Sequence, residues 1–185
     1  MSGNYVQHFT DKANAEGSSP LELQLPPHYT QRCIITLSSD KDSFWLSEFL
    51  SFVRSHCVEI FCATPAYVMH RHKSKKVQEG QVGLRCRFCA HRPLAERAGR
   101  SSSFPGSKSR IYQSMTMMLR DHFSRCKDLP PEVKKRYLSL KDDLNHGSSG
   151  SKNFWVASAG DLGLIDTPYG LKFKKEIIFD EKIFF

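Results

Sequence analysis

The chain has 185 residues and a mass of 21.2 kDa, the usual size of one domain with short flanks, which excludes two large catalytic domains. Hydrophobic residues make up 39% and charged residues 25%, so most of the chain can bury enough apolar surface to fold in water. The sequence contains neither an apolar run long enough to span a membrane nor a cationic, apolar leader, so we expect an intracellular protein, nuclear or cytoplasmic, with no membrane partner.

The formal net charge of +8 is unevenly distributed along the chain. Residues 70–127 contain 14 Lys and Arg against three acidic residues, a net charge of +11, while the remaining residues sum to −3. A field concentrated in this way attracts polyanions to one face of an otherwise nearly neutral fold, and nucleic acid is the commonest polyanion inside cells. Charge alone is also compatible with a purely solubilising surface.

Residues 1–40 contain the run GSSPLELQLPPHY and little hydrophobic periodicity, so we predict a disordered N-terminal arm. Within this arm, the β-branched stretch that begins at Cys33 suggests a short edge strand. The first predicted helix spans residues 44–61, with Asp42 or Ser43 as its cap. Its apolar positions recur at steps of three and four and are Leu46, Phe49, Leu50, Val53, Cys57, Ile60 and Phe61.

A second, short helix is predicted from Thr64 and Pro65, because threonine caps helices and proline is favoured in the first turn. From Gln81 the hydrophobic period changes to two, which indicates a strand leading into Cys86. The loop that follows is rich in Gly, Ser, Arg and Pro and is too polar to form core. Phe104 is its predicted anchor.

Two longer helices are predicted after this loop. The first covers residues 111–126, with Ser107 or Ser109 as its cap and the Leu129-Pro-Pro run as its stop. Its stripe consists of Ile111, Met115, Met118, Leu119, His122 and Cys126. The next begins at Pro131, buries Val133, Tyr137, Leu140 and Leu144, and ends in the linker NHGSSGSKN. A short helix ending near Gly163, a turn and an extended stretch complete the predicted domain.

Four residues with side chains that bind metals form the pattern C-x2-C-x32-H-x3-C, and they are Cys86, Cys89, His122 and Cys126. A Cys-x2-Cys turn lets two sulfurs converge on one ion, and residues four apart on a helix share a face. Three thiolates and one imidazole suit tetrahedral zinc and leave no position for a catalytic water, so we predict a structural Zn²⁺ site. His91, and Cys57 together with Cys62, are the competing ligands, but Cys57 fits the apolar stripe.

These elements define an α+β, mostly helical fold. We predict a single zinc-stabilised domain at residues 41–175, in which a strand-knuckle-helix zinc unit at residues 80–127 packs with flanking helices, and a C-terminal tail at residues 176–185. The tail sequence KEIIFDEKIFF is hydrophobic enough to form a strand.

The strand, the CRFC knuckle, the polar loop and the helix IYQSMTMMLRDHFSRC resemble the BED class of zinc finger over residues 80–127, with Cys126 where that class has histidine. BED fingers bind DNA in chromatin proteins and transposases, so the resemblance implies DNA binding in the nucleus. More broadly, QVGLRCRFCAH, the same helix and FWVASAGDLGLIDT resemble a recurrent, uncharacterised domain of diatom and related algal proteins over residues 43–172. This second resemblance implies a fold and no particular activity.

The sequence therefore predicts a zinc-stabilised nucleic-acid-binding protein, with DNA favoured over RNA. The candidate contacts are Arg85, Arg87, Arg92, Arg97, Arg100, Lys108, Arg110, Arg120 and Arg125. The alternative is a zinc-stapled protein-interaction module whose arginines meet an acidic partner protein. No hydrolase elbow, P-loop or H-E-x-x-H helix is present, so we predict no enzyme activity and no small-molecule substrate. A redox role for the Cys86-x2-Cys89 pair is a lesser alternative.

Overall fold

The computed structural model describes residues 35–70, 76–142 and 151–174. They form a mixed α+β fold that is mostly helical, as predicted. The helices are α1 Asp42–Trp45, α2 Glu48–Phe52, α3 Pro65–His70, α4 Ile111–Asp121, α5 Pro131–Asp142 and α6 Ser151–Asp161. The strands are β1 Val58–Cys62, β2 Val82–Cys86, β3 Ser102–Ser103, β4 Leu164–Thr167 and β5 Gly170–Phe173. A π-helical turn, Val53–Cys57, joins α2 to β1, and 3₁₀ turns lie at Leu94–Glu96 and Lys108–Arg110.

Cys86 is the last residue of β2, the central strand of a three-stranded antiparallel sheet in the order β1-β2-β3. Val58 pairs with Cys86 at one end of β1, and Cys62 pairs with Val82 at the other. The short strand β3 pairs with the opposite edge of β2. The predicted strand is therefore confirmed as the centre of the sheet, and its two neighbours together fix the position of Cys86.

The first predicted helix is too long, because residues 58–61 of the expected 44–61 helix belong to β1 instead. The helical segment ends at Cys57, the last residue of the π-helical turn. Ile60 and Phe61 are both buried, but adjacent residues of a strand face opposite sides of the sheet. They belong to two separate apolar clusters. Both residues are buried, as the helical spacing predicts, but they lie on opposite faces of a sheet and do not form one helical stripe.

The cap of this helix also differs from the prediction of Asp42 or Ser43. The Leu50 N–H donates to the Ser47 hydroxyl oxygen over 3.3 Å, so Ser47 is the residue that caps α2. Asp42 is buried and accepts a hydrogen bond of 2.8 Å from Nε of Arg54. The acidic residue at the start of α1 is therefore one half of a buried ion pair.

The predictions for the short helix and for the loop anchor are both confirmed. The helix predicted at Thr64-Pro65 is α3, which buries Tyr67. Phe104 packs its ring against those of Tyr67 and Phe61, with centroid separations of 5.8 and 5.3 Å. This second apolar cluster attaches the polar loop to the outer face of the sheet.

The main core lies between the sheet and helices α2, α4, α5 and α6. The predicted stripes of α4 and α5 are buried at Ile111, Met115, Met118, Leu119, Val133, Tyr137 and Leu140. Helix α6 adds Phe154, Trp155 and Ala159. The zinc unit predicted at residues 80–127 is therefore packed against helices that precede and follow it. Leu144, the expected last position of the α5 stripe, lies outside the described residues.

The short helix, turn and extended stretch expected near the C-terminus correspond to α6 and to the β4-β5 hairpin. Gly170 begins β5 with φ of +107°, and a Cβ there would collide with the buried side chain of Gln81. Glycine is favoured at this position because residues with a side chain rarely adopt this φ. The tail at 176–185 lies outside the described residues.

The fold begins earlier than the boundary at residue 41 that the sequence suggests. The Ile60 N–H donates to the Ile35 carbonyl over 2.7 Å, which adds Ile35 to the edge of β1. Leu37 is only 1% exposed and belongs to the main core. Residues 35–40 of the expected disordered arm are thus part of the domain, while residues 1–34, including Cys33, lie outside the described residues.

We predict that Leu37→Ala lowers the free energy of unfolding by about 2–5 kcal/mol, because it leaves a cavity in the main core. The matched control is Leu138→Ala on α5, where the leucine is 46% exposed. Urea unfolding followed by circular dichroism measures both. Equal midpoints for the two variants would contradict the placement of Leu37 in the core.

Candidate metal centre

The first two candidate ligands lie at the end of β2 and in the turn that follows it. The Cys86 N–H donates to the Ser101 carbonyl over 2.8 Å, next to the pairing of β2 with β3. The chain then turns, and the Arg92 N–H closes this knuckle by donating to the Cys89 carbonyl over 3.1 Å. Cys86 and Cys89 are both buried, as is Phe88 between them. The sheet therefore presents two sulfurs on the same side of a tight turn.

The other two candidate ligands do not share a helix, contrary to the prediction. Helix α4 ends at Asp121, and His122 is its C-cap residue, whose N–H still donates to the Met118 carbonyl. The Arg125 N–H donates to the His122 carbonyl over 2.8 Å, so the chain turns before it reaches Cys126.

A hydrogen bond from α5 accompanies the early end of α4. The hydroxyl of buried Tyr137 donates to the Leu119 carbonyl over 3.1 Å. In a longer helix this carbonyl would accept from the N–H of Phe123. Phe123 is instead buried in the main core, 5.6 Å from the Tyr137 ring. The turn that results brings Cys126 back toward the knuckle.

The structure brings all four predicted ligands together. Their ligand atoms lie within 4.8 Å of one another, and all four residues are buried. Sγ of Cys86 is 4.0 Å from Sγ of Cys126, and Sγ of Cys89 is 3.6 Å from Nε2 of His122. The three cysteines are free, and the separation of the Cys86 and Cys126 sulfurs is far greater than the length of a disulfide bond. Three sulfurs and one nitrogen that converge in this way can hold a metal ion.

The imidazole of His122 is oriented by a backbone carbonyl that sequence reasoning did not identify. Nδ1 of His122 lies 3.2 Å from the carbonyl oxygen of Gly99 and donates to it. This hydrogen bond keeps a proton on Nδ1, so Nε2 is the ring nitrogen that faces the sulfurs and can bind a metal ion once it gives up its own proton. Gly99 belongs to the polar loop, and no motif in that loop marks it as a partner of the site.

The four candidate ligands lie close enough together to shift one another's pKa values. Burial, together with hydrogen bonds to Cys126 and Cys89, raises the pKa of the Cys86 thiol far above its usual value. Hydrogen bonds from Cys86 and Cys89 hold the pKa of Cys126 well below the usual range of a thiol. Burial lowers the pKa of His122, but hydrogen bonds to Cys126 and Cys89 outweigh it and raise that pKa to about 10. A cation can replace the protons that these donors share.

The competing ligands do not belong to the cluster of four. Cys57 is fully buried in the main core, Cys62 lies at the end of β1, and His91 is exposed. Within residues 35–70, 76–142 and 151–174, no other group of three or more potential ligands has the same proximity. The candidate metal site therefore consists of Cys86, Cys89, His122 and Cys126.

Two of the predicted nucleic-acid contacts are engaged with the sheet and the turn before it. Nε of Arg85 lies 2.5 Å from a carboxylate oxygen of buried Glu59, and its guanidinium lies over the Phe61 ring. Arg87 donates to the carbonyl of Ser55 over 3.4 Å and equally to that of the next residue. Both guanidinium groups therefore contribute to the internal structure of the fold.

Two further predicted contacts support the knuckle. Arg92 forms an ion pair with Asp128, with Nε at 2.6 Å from a carboxylate oxygen. Arg97 donates to the hydroxyl of Tyr67 over 2.6 Å and to the carbonyl of Ala90 over 2.7 Å. These contacts link the loop after Cys89 to its surroundings.

The remaining five basic candidates lie along α4 and its flanks. Lys108 is half-buried, and its backbone N–H donates to Asp166 over 2.7 Å. The other four, Arg100, Arg110, Arg120 and Arg125, are exposed. Arg110 lies at the N-terminal end of α4, whereas the other three lie near its C-terminal end, beside the candidate ligands.

No helix of the described ranges is both long and apolar enough to cross a membrane. Comparison of the chain with protein-family models, with curated proteins and with solved structures finds no match.

Proposed function

We propose that this chain is a zinc-stabilised nucleic-acid-binding protein, with duplex DNA as its preferred partner. The proposal depends most on one observation, that exposed arginines gather beside a buried cluster of four potential metal ligands. The buried cluster supplies a rigid framework, and the arginines supply the contacts to a polyanion. The nucleus is the compartment that this function implies.

Zinc is the metal that best fits the donor set. A tetrahedral zinc ion, at about 2.3 Å from sulfur and about 2.0–2.1 Å from nitrogen, separates two sulfurs by about 3.8 Å and sulfur from nitrogen by about 3.6 Å. The observed separations are 4.0 Å between Cys86 and Cys126 and 3.6 Å between Cys89 and His122. Four protein donors complete this coordination and leave no position for a catalytic water, so the proposed ion is structural and we propose no enzyme activity for this site.

A phosphate backbone suits the exposed arginines better than a small anion does. A guanidinium fork matches two phosphate oxygens, and each contact neutralises one charge of a densely charged polymer. Residues 70–127 carry a net charge of +11, which would attract such a polymer over a distance. The resemblance of residues 80–127 to BED zinc fingers supports DNA as the partner.

The second candidate is a zinc-stapled protein-interaction module. It is favoured by the exposed aromatic side chains of α1, where Phe44 is 82% and Trp45 is 46% exposed. Exposed aromatic residues of this kind are enriched at protein interfaces. In this alternative the arginines would pair with carboxylates of an acidic partner instead of phosphates.

We predict that the protein binds a short duplex DNA with strong dependence on salt. With about four phosphate contacts, the slope of log affinity against log salt is about −3.6, which is roughly a hundredfold loss between ~50 and ~200 mM salt. Fluorescence anisotropy with labelled DNA measures the slope, and polyglutamate of the same length serves as the control polyanion. Binding of polyglutamate without binding of DNA would favour the protein-interaction module and overturn the proposal.

A further inference from the structure

Two arginines donate to a single carboxylate at the C-terminal end of α4. Nε of Arg100 lies 2.6 Å from one oxygen of Asp121, and Nε of Arg120 lies 2.7 Å from the other. The side chains of Arg100 and Arg120 are 52% and 69% exposed, against 25% for Asp121. Exposed Arg125 lies in the turn that follows α4, where its backbone N–H donates to the His122 carbonyl over 2.8 Å. We name these four residues the arginine cluster, and its net charge is +2.

The position of Asp121 is not explained by the helix itself. Asp121 is the last residue of α4, where the carbonyl end of the helix carries partial negative charge. Cations are favoured at that end and a carboxylate is disfavoured. The arginines therefore stabilise the helix end, while the aspartate is the one group of the cluster that the helix dipole opposes.

The candidate metal site positions all three arginines of the cluster. Gly99, whose carbonyl accepts from His122, directly precedes Arg100. Arg100 itself has φ of +56°, a left-handed conformation that costs energy in a residue with a side chain. Arg120 lies in the last turn of α4, and Arg125 lies between His122 and Cys126. A metal ion that fixes the four ligands would therefore also fix the backbone of the three arginines. Less conformational entropy would then be lost when the arginines bind a partner.

Other ion pairs of the described ranges lack this excess of positive charge. Arg92 pairs with Asp128, and Arg136 of α5 pairs with Glu48 of α2. In each case one guanidinium meets one carboxylate, which leaves no net charge. The arginine cluster differs because two guanidinium groups share one carboxylate and a third arginine lies in the next turn, an excess of positive charge that would suit a phosphate.

We propose that the arginine cluster is the contact site for a nucleic-acid phosphate and that the Asp121 carboxylate occupies this site in the unbound protein. The inference rests on the proposed function and assigns its contact residues. Incoming phosphate competes with Asp121 for Arg100 and Arg120, and Arg125 supplies a further contact. Asp121 thus weakens binding to any phosphate backbone and makes the unbound cluster more compact.

The first test is Asp121→Asn, which removes the internal competitor and keeps the size of the side chain. Duplex DNA should bind roughly tenfold more tightly at ~50 mM salt, with a salt slope steeper by about one unit. Glu48→Gln is the matched control, because it removes a carboxylate that also pairs with one arginine. It adds the same net charge and lies outside the cluster, so its effect should be much smaller.

The second test is Arg120→Ala, with Arg136→Ala as its control. Both arginines are exposed, lie on helices and pair with one carboxylate. Arg120→Ala should weaken DNA binding roughly tenfold at ~50 mM salt and flatten the slope by about one unit. Arg136→Ala should leave both values close to those of the unmodified chain. Metal content and the midpoint of urea unfolding, measured on the same samples, verify that each variant keeps its fold.

The outcomes separate the inference from the proposed function. If the unmodified chain binds DNA but Asp121→Asn behaves like Glu48→Gln, the inference is overturned and the proposed function stands. If Arg120→Ala and Arg136→Ala have the same effect on the slope, the inference is overturned as well. If the unmodified chain binds no DNA at ~50 mM salt, the proposed function fails and the inference with it.

Discussion

Replacement of Cys89 by serine is expected to abolish metal binding and to unfold the segment from β2 to the end of α4. Cys89 is buried, and its sulfur lies 3.6 Å from Nε2 of His122. Structural zinc contributes about 10–16 kcal/mol in finger peptides, which is comparable to the whole stability of a domain, about 5–15 kcal/mol. Metal content by elemental analysis and thermal unfolding by circular dichroism measure the two effects.

The control for this variant is Cys57→Ser, which makes the same chemical change at a buried cysteine outside the metal cluster. Cys57 belongs to the main core, so a hydroxyl there should cost about 1–3 kcal/mol for lack of a partner. The variant should nevertheless keep its metal. Equal loss of metal from the Cys89 and Cys57 variants would mean that the four ligands are assigned incorrectly.

The second large effect is expected from Asp42→Ala, which leaves a buried guanidinium without its carboxylate. Arg54 is 0% exposed and donates from Nε to Asp42 over 2.8 Å. It also donates to the Leu37 carbonyl and lies over the Trp155 ring, with 4.4 Å between its Cζ and the ring centroid. Removing one partner of a buried ion pair costs about 3–5 kcal/mol, because the other charge remains desolvated. Urea unfolding should show this loss.

A double-mutant cycle distinguishes loss of the ion pair from a cavity. Arg54→Met, combined with Asp42→Ala, replaces the buried charge by an apolar side chain beside Trp155 and Phe154. The double variant should regain much of the stability that Asp42→Ala loses, since an apolar replacement of a buried pair is often close to neutral. A double variant whose loss equals the sum of the two single losses would show that the pair is not coupled.

The ligand set could be predicted from the sequence because spacing carries the information. Two cysteines separated by two residues converge in any tight turn, and the chemistry of cysteine and histidine limits the other choices. The buried faces of α4 and α5 could be predicted for a similar reason, because helical periodicity is local. Ile111, Met115 and Met118 are buried where that period places them.

The turn that carries Cys126 could not be predicted, because the contacts around it come from residues that are distant in the sequence. Tyr137 donates to the Leu119 carbonyl from the next helix, and the chain leaves α4 at His122. The four-residue separation of His122 and Cys126 is compatible with one continuous helix and also with the observed turn. The strand β1 was hidden in the same way, because its pairing partner β2 begins 20 residues after β1 ends.

The sequence by itself determined where the basic residues lie along the chain, which four residues are potential metal ligands and where the periodic helices lie. Only the tertiary structure decided what each arginine contacts. Arg85 and Arg97 are adjacent to the knuckle in sequence, yet they pair with Glu59 and Tyr67 of earlier elements. The arginine cluster is assembled from a loop, a helix end and a turn whose meeting point is set by side-chain packing and by the hydrogen bond from His122 to the loop. Charge can be counted along a chain, but whether a charge is already neutralised depends on contacts between residues far apart in it.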